Sequence, residues 1–515
     1  MLSRRFVLGA VSASALMVGA AEAEAAHAKN VILFITDGCS WGCYDMASHW
    51  EFGAARREAY ADFPVKLGMT TYPLNLSTRP TGGNTPEVSY DPARAWDTTP
   101  NTGSFGGRPS YFNGYDYIKR SFTDSAAAGT ALATGQKSYN NSISWSNDPA
   151  VTGSPLTPLI TDIAKQWGRA TGVVSSVPFT HATPAVFGAQ NVNRDAYAQI
   201  AEQMLRNPNL DLIMGGGDPR YNSNGELRAT PNERYMTMMQ LNALLANPDG
   251  SNTYGRYFIS SKEDFEKLAD GTLVPASGRL IGLAQTGDTL QANRNRPADP
   301  TNVSVENGNA SGVPFNTNVP SLLTMTQGAI NFLSRDPDGF FLMVEGGAVD
   351  WMAHANNTAR IIEEQVDFNR SVAWAIEWVE TYSSWDETLM IVLTDHGNGM
   401  PMGPNSDRIP FEPIEGRGQG VLPGVRWHYG THTNENTMFF AKGAGAELFY
   451  QYVRGTDPGL VTFLNFGDGR YIDNVDVFAV MRDVMVPEPA SAALMLFGLG
   501  ALGLAARRRR ETVDA

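Results

Sequence analysis

The chain has 515 residues, 42% hydrophobic and 18% charged, a composition that suits a globular protein rather than a disordered one. Its formal net charge of -14 disfavours nucleic acid as a partner, because phosphate backbones need basic surface, yet a local cluster of cations could still hold small phosphorylated compounds. Two cysteines, Cys39 and Cys43, are too few for a disulfide scaffold or a thiolate zinc site; a local disulfide and two free thiols both stay open.

The first 28 residues read as an export signal. Arg4 and Arg5 precede an apolar stretch that runs to about Ala21, and the small-residue string AEAEAAHA comes next. The paired arginines resemble a twin-arginine signal, and an ordinary secretory signal is the alternative; both take the protein out of the cytoplasm. Short apolar runs at 31–36, 171–177, 210–214, 340–344 and 389–394 read as strands buried on both faces. Helical patterns at 158–168, 195–205 and 358–381 lie between them, and strands alternating with helices predict an α/β fold with a mainly parallel central sheet sandwiched by helices. The stretches 72–111, 216–321 and 400–425 are rich in Asn, Gly, Pro and Thr and read as loops or a decorating insertion, with one helical piece near 233–245. At the other end Val486-Pro487-Glu488-Pro489 leads into an apolar run, 490–506, and then Arg507 to Arg510. This layout resembles the PEP-CTERM sorting tail of Gram-negative bacteria, which implies a helix transiently in the membrane; a permanent single-span anchor is the alternative.

The residues just past the strands are more informative than the strands themselves. Asp37 comes after the first. Thr180, His181 and Thr183 come after the second. Glu345 ends the fourth, with Asp350 and His354 just beyond, and Asp395 and His396 come after the fifth. Sites in open α/β sheets form outside the carboxyl ends of strands, so these acids and histidines are expected to converge on one edge. Asp350 and His354 are four apart and share a face of a helical turn. Imidazole and carboxylate are the zinc ligands open to a chain with so few cysteines, and four of the seven histidines (His181, His354, His396 and His432) belong to this set. Ser125 opens an alanine-rich helical stretch. It could simply cap that helix, or, at a helix start that favours anions and beside a metal, act as a nucleophile. Arg194 lies soon after the His181 loop, where a guanidinium could bind two phosphate oxygens at once.

The strings TDSAAAGTALATG, THATPAVFGAQNVNRD, DLIMGGG, LMVEGGAVDWMAH, VLTDHGNG and YGTHT occur in the order found in alkaline phosphatases, and the resemblance runs over about 30–442 with gaps at the loop-rich stretches. It implies a catalytic domain over 29–485, with 216–321 as an insertion or crown region and 486–515 as the sorting tail. Asp350, His354 and His432 resemble the ligands of a first Zn2+, and Asp37, Asp395 and His396 those of a second. Asp37, Thr183 and Glu345 resemble a third set that usually holds Mg2+. Ser125 then resembles the nucleophile and Arg194 the arginine that grips the phosphoryl group. Three positions depart from the pattern. His181 stands where some members carry aspartate, which shifts the third site's preference toward zinc. Trp351 stands where others carry lysine or histidine. His428, four residues before His432, competes with it as a ligand.

The function so implied is hydrolysis of small phosphate monoesters through a phosphoserine, in the periplasm or at the cell surface, with a homodimer as one assembly open to the chain. A phosphodiesterase or sulfatase of the same superfamily is the nearest rival. A non-catalytic surface or matrix protein that keeps the fold is the rival from another class.

Overall fold

The computed structural model describes residues 27–83, 89–99, 114–148 and 153–486. The export signal, apart from its last two residues, and the sorting tail beyond Val486 lie outside them. Among the described residues no helix is long and apolar enough to cross a membrane.

In chain order the strands are β1 (Asn30–Ile35), β2 (Val65–Thr70), β3 (Ala170–Pro178), β4 (Leu212–Gly216), β5 (Tyr257–Ile259), β6 (Leu280–Leu283), β7 (Phe340–Glu345), β8 (Thr388–Leu393), β9 (Gly397–Asn398), β10 (Pro401–Met402), β11 (Arg426–Trp427), β12 (His432–Thr433), β13 (Thr437–Gly443), β14 (Gly455–Thr456) and β15 (Arg470–Asp473). Eleven of them form one sheet, in the order β14-β15-β2-β13-β8-β1-β7-β3-β4-β6-β5. Strands β8 through β5 in that order are parallel throughout, and β13 runs against both β8 and β2. The short pairs β10–β11 and β12–β9 stand apart from it.

The central strands are apolar at nearly every position because helices cover both faces. On β1, Ile32 and Phe34 point into one core layer, while Val31, Leu33 and Ile35 point into the other. The first layer is closed by the helices Trp41–Phe52, Leu322–Leu333 and Thr358–Tyr382, the second by Ser125–Thr134, Ile160–Gln166, Tyr197–Arg206 and Asn474–Met485. Each fully buried Ile, Leu or Phe contributes about 1.5–3 kcal/mol, so the middle of the sheet is the most strongly held part of the fold and a rigid base for whatever stands on its edge.

All five strands expected from the sequence are present within a few residues. The stretch 216–321 holds more than loops. It supplies β5 and β6 to one edge of the main sheet and the helices Met238–Leu245 and Lys262–Ala269, with Leu241, Leu244, Phe265, Leu268, Leu280 and Leu283 buried. Both cysteines are free and buried, which decides against the local disulfide.

Candidate metal centre and active site

The register of the sheet assembles the site. Ile35 of β1 lies beside Glu345 of β7 and beside Leu393 of β8. Asp37 and Asp395, each two residues past its strand, therefore leave the sheet level with Glu345 at the carboxyl edge. Across β7, Ser175 of β3 pairs with Glu345, and its hydroxyl donates to the Glu345 carboxylate. The loop after β3 carries His181, then the short helix Ala182–Ala185 with Thr183, whose Oγ1 donates to Asp37 Oδ2 at 3.3 Å. The helix Ala348–His354 presents Asp350 and His354 one turn apart, and β12 brings His432 beside β9.

Three imidazoles are oriented by the same device. His432 donates from Nδ1 to the Thr123 carbonyl (2.8 Å), His354 to that of Gly430 (3.2 Å) and His396 to that of Gly397 (3.3 Å). A proton fixed on Nδ1 leaves the Nε2 lone pair free, the usual arrangement of a metal-binding histidine. These Nε2 atoms converge. Those of His354 and His432 are 3.1 Å apart, and His432 Nε2 is 3.3 Å from Asp350 Oδ1. His396 Nε2 is 3.3 Å from Asp395 Oδ2, 3.5 Å from Asp37 Oδ1 and 3.1 Å from Ser125 Oγ. Two unprotonated ring nitrogens that close repel unless a cation lies between them.

The carboxylates need a cation just as much. Asp37 Oδ1, Glu345 Oε1 and Asp395 Oδ2 are buried with no hydrogen-bond partner among the described residues. Burial, then repulsion from Asp395, Asp350 and Glu345, pushes the Asp37 carboxyl well above its ordinary range. Burial and Asp350 push Asp395 up to about 7, and burial pushes Glu345 up to about 7. For Asp350 burial works upward, but His432 and His354, in their protonated forms, outweigh it and hold the carboxyl well below its usual range. Burying several ionised carboxylates together without compensation is prohibitively costly, and divalent cations supply that compensation. Ligand atoms cluster in three overlapping groups: Asp350, His396 and His432; Asp37, Asp395 and His396; and Asp37, His181 and Glu345. His354 adjoins the first of these through His432, and Thr183 adjoins the third through Asp37. The donor set therefore fits metal ions.

Ser125 meets this cluster through His396. It is the first residue of the helix Ser125–Thr134, and the cap is its neighbour: Asp124 Oδ1 accepts from Ala127 N at 2.9 Å. The capping role open to Ser125 thus falls to Asp124, and the serine hydroxyl is left for other work. The alanines after it are set by packing as much as by helix propensity. Ala126, Ala127 and Ala128 are buried, and a Cβ on Gly129 would meet Val186 Cγ2 at 2.9 Å. Asp124 Oδ2 also pairs with Arg194 Nη1 at 2.8 Å, and Arg194 Nη2 reaches His181 Nε2 at 3.3 Å. His181 Nδ1 is buried and has no hydrogen-bond partner among the described residues. Burial, then the Arg194 charge, lowers the His181 pKa to about 3.

Of the three departures from the motif pattern, two meet in space. The Trp351 ring packs edge-on against His181, with centroids 5.4 Å apart. His428 is turned away, with its Nε2 2.6 Å from Ser406 Oγ, and His432 is the histidine that joins the cluster. Ser125, Arg194, Asp350, His354 and His432 open into a pocket of about 490 Å³. Its other wall was not anticipated: Tyr197, Arg234, Tyr235, Asp288 and Asn293. All but Tyr197 come from the stretch 216–321, where composition hid single residues among turn formers.

A sequence model of the family described as alkaline phosphatase matches residues 112–417, more than half of the chain. The chain belongs to the alkaline phosphatase family. Alkaline phosphatase 4 of Bacillus subtilis (strain 168) is 32% identical over 292 residues, 56% of this chain and 52% of that protein. The alkaline phosphatase of Escherichia coli (strain K12) is 27% identical over 401 residues, 72% of this chain and 70% of that one. The chain thus spans about half the length of the Bacillus relative. Among solved structures, alkaline phosphatase from the Antarctic bacterium TAB5 superposes with a TM-score of 0.53 at 22% identity, over 89% of this chain and 98% of that one. The Thermus thermophilus enzyme gives 0.57 at 20% identity, over 90% and 93%. Identities this low speak for the fold alone. A PEP-CTERM protein-sorting motif matches residues 486–510, which points to export and surface targeting in a Gram-negative bacterium.

Proposed function

We propose that this family member hydrolyses phosphate monoesters, with Ser125 as the nucleophile, at a site holding two Zn2+ and a third cation. The observation that carries this reading is the position of Ser125 Oγ, 3.1 Å from His396 Nε2, at the rim of three overlapping groups of ligand atoms. Asp350, His354 and His432 would hold one zinc, and Asp37, Asp395 and His396 the other. Asp37, Thr183 and Glu345 would hold Mg2+, with His181 beside them biasing that site toward zinc. When bound, these ions act as Lewis acids that lower the pKa of a hydroxyl and neutralise charge on a leaving oxygen.

The residues then have separable roles. Arg194, held by Asp124, presents its guanidinium to the non-bridging oxygens, and its charge matters most as they gather negative charge. Ser125 Oγ bonds to phosphorus while the bond from phosphorus to the ester oxygen breaks, and the alcohol departs. Water then breaks the Ser125 Oγ–phosphorus bond and releases inorganic phosphate. Asp37, Glu345, Asp395 and His396 are fully buried at the floor of the pocket, where a lower local dielectric strengthens the charge interactions among them. The sorting tail is read as a transient membrane passage that ends with the enzyme in the periplasm or at the cell surface.

The test compares native chain with Ser125→Ala on a monoester and on a diester with the same leaving group. Native chain should strongly prefer the monoester, and the variant should lose at least 1,000-fold on the order expected for a covalent nucleophile, with zinc content unchanged. A variant within a few-fold of native would remove Ser125 from the mechanism, and a preference for the diester would move the chain to another activity within the superfamily.

A further inference from the structure

A phosphoryl group needs only the part of the pocket between Ser125 and Arg194. The pocket of about 490 Å³ that they line is also lined by a second guanidinium, that of Arg234. The two arginines are held differently. Arg194 is paired with Asp124 at 2.8 Å, so much of its charge is compensated. Arg234 is exposed and makes no ion pair among the described residues. Aromatic faces hold it instead: its guanidinium lies 5.0 Å from the ring centre of Tyr235 and 5.8 Å from that of Tyr197. Those rings pack edge to face at 4.9 Å, and Thr180 Oγ1, one residue before His181, donates to the Tyr235 carbonyl at 3.1 Å. Arg234 is therefore tied to the same scaffold as the site, and although Asp288 lines the same pocket, its guanidinium makes no ion pair or side-chain hydrogen bond among the described residues.

We propose that Arg234 is a specificity-determining residue that binds a second phosphate group on the leaving portion of the substrate, so that the preferred substrates are doubly phosphorylated. This rests on the monoesterase reading above and deepens it. Guanidinium is the side chain suited to bidentate phosphate binding. A cation braced by two aromatic rings loses little conformational freedom when an anion arrives. The transferred phosphoryl group occupies Arg194, so the second anion is the one that meets Arg234. Two kinds of compound carry it: a diphosphate, with the second phosphate next to the reacting one, and a bisphosphate, with carbon atoms between.

Purified metal-loaded chain, native, Arg234→Gln and Arg234→Lys, would be assayed for phosphate release from ADP against AMP and from fructose 1,6-bisphosphate against fructose 6-phosphate. In the native chain kcat/KM should favour the doubly phosphorylated member of at least one pair. Arg234→Gln should cut that ratio at least ten-fold and Arg234→Lys much less; the pair that responds reports the spacing of the two phosphates. Ratios in Arg234→Gln within two-fold of native for both pairs would overturn the proposal. Failure of native chain to hydrolyse AMP and fructose 6-phosphate at all would count instead against the monoesterase reading.

Discussion

Gly38 carries the sharpest structural prediction. It comes directly after Asp37, has φ +65°, and its N–H donates to Asp395 Oδ1 at 3.1 Å. A Cβ added there would lie 2.5 Å from Asp350 Oδ1, 2.9 Å from Asp350 Cβ and 3.0 Å from Asp350 Cα, where ordinary contact begins near 3.4 Å. Gly38→Ala must therefore push Asp350 away by roughly half to one ångström, and Asp350 is the carboxylate that meets both His432 and His354. A left-handed backbone costs an alanine about 1–2 kcal/mol, and overpacking a buried site about 1–3 kcal/mol. The metal-free variant should thus be less stable by about 2–5 kcal/mol in urea unfolding. Misplacing a positioning group by about 1 Å costs on the order of 100-fold in rate, or about 2.7 kcal/mol at 1.36 kcal/mol per ten-fold. Zinc per chain after dialysis at limiting free zinc, read by elemental analysis, should fall together with kcat/KM. Native zinc content with native stability and activity would refute the claim that Asp350 must pass directly over residue 38.

Neighbouring features give further outcomes. Asp124→Ala removes the partner of Arg194 and the helix cap together; inorganic phosphate should inhibit several-fold less well, and stability should drop by about 1 kcal/mol for the cap alone. Unchanged phosphate inhibition would show that Arg194 is held some other way. His181→Asp adds a carboxylate beside Asp37 and Glu345 and should raise the magnesium bound per chain at saturating zinc; no gain would separate His181 from the third group. Glu364 is buried, its Oε1 has no partner among the described residues, and burial and Asp367 raise its pKa from 4.5 to about 8. The folded state then favours the protonated acid, so this contribution is fully present below pH 4.5 and is lost as pH rises toward 8. At 1.36 kcal/mol per pH unit it amounts to at most about 5 kcal/mol. Glu364→Gln should flatten the fall in stability between pH 5 and 9 in urea titrations, and parallel curves for the two proteins would contradict it.

The central sheet and the acids and histidines that gather at its carboxyl edge were legible in the sequence for one reason. Parallel strands buried on both faces read as unbroken apolar runs, and the first polar residues after them mark the edge where a site forms. The strands toward the two ends of the sheet were not legible. β2 (VKLGMT) carries lysine and glycine, β15 (RYID) is half polar, and β5 has three residues; such segments become strands through pairing with neighbours already in place. Ser125 could be found, but its freedom could not, because whether Asp124 or Ser125 caps the helix depends on backbone angles at Asp124. Ser175 and Asn398, which steady Glu345 and Asp350, gave no signal either: each is a lone polar residue whose partner is distant in sequence. Arg234 and Tyr235 were hidden for a different reason, since a turn-rich composition describes a segment's average and not the one guanidinium it delivers to a pocket.

The most direct test is to trap the covalent intermediate. Metal-loaded chain would be mixed with a monoester at mildly acidic pH, quenched in acid and analysed by peptide mass spectrometry. The account predicts a single phosphoryl group on the peptide TDSAAAGT, placed on Ser125 by fragmentation and lost when zinc is removed beforehand. Turnover of the monoester with no phosphate on that peptide, or with phosphate on another residue, would contradict it.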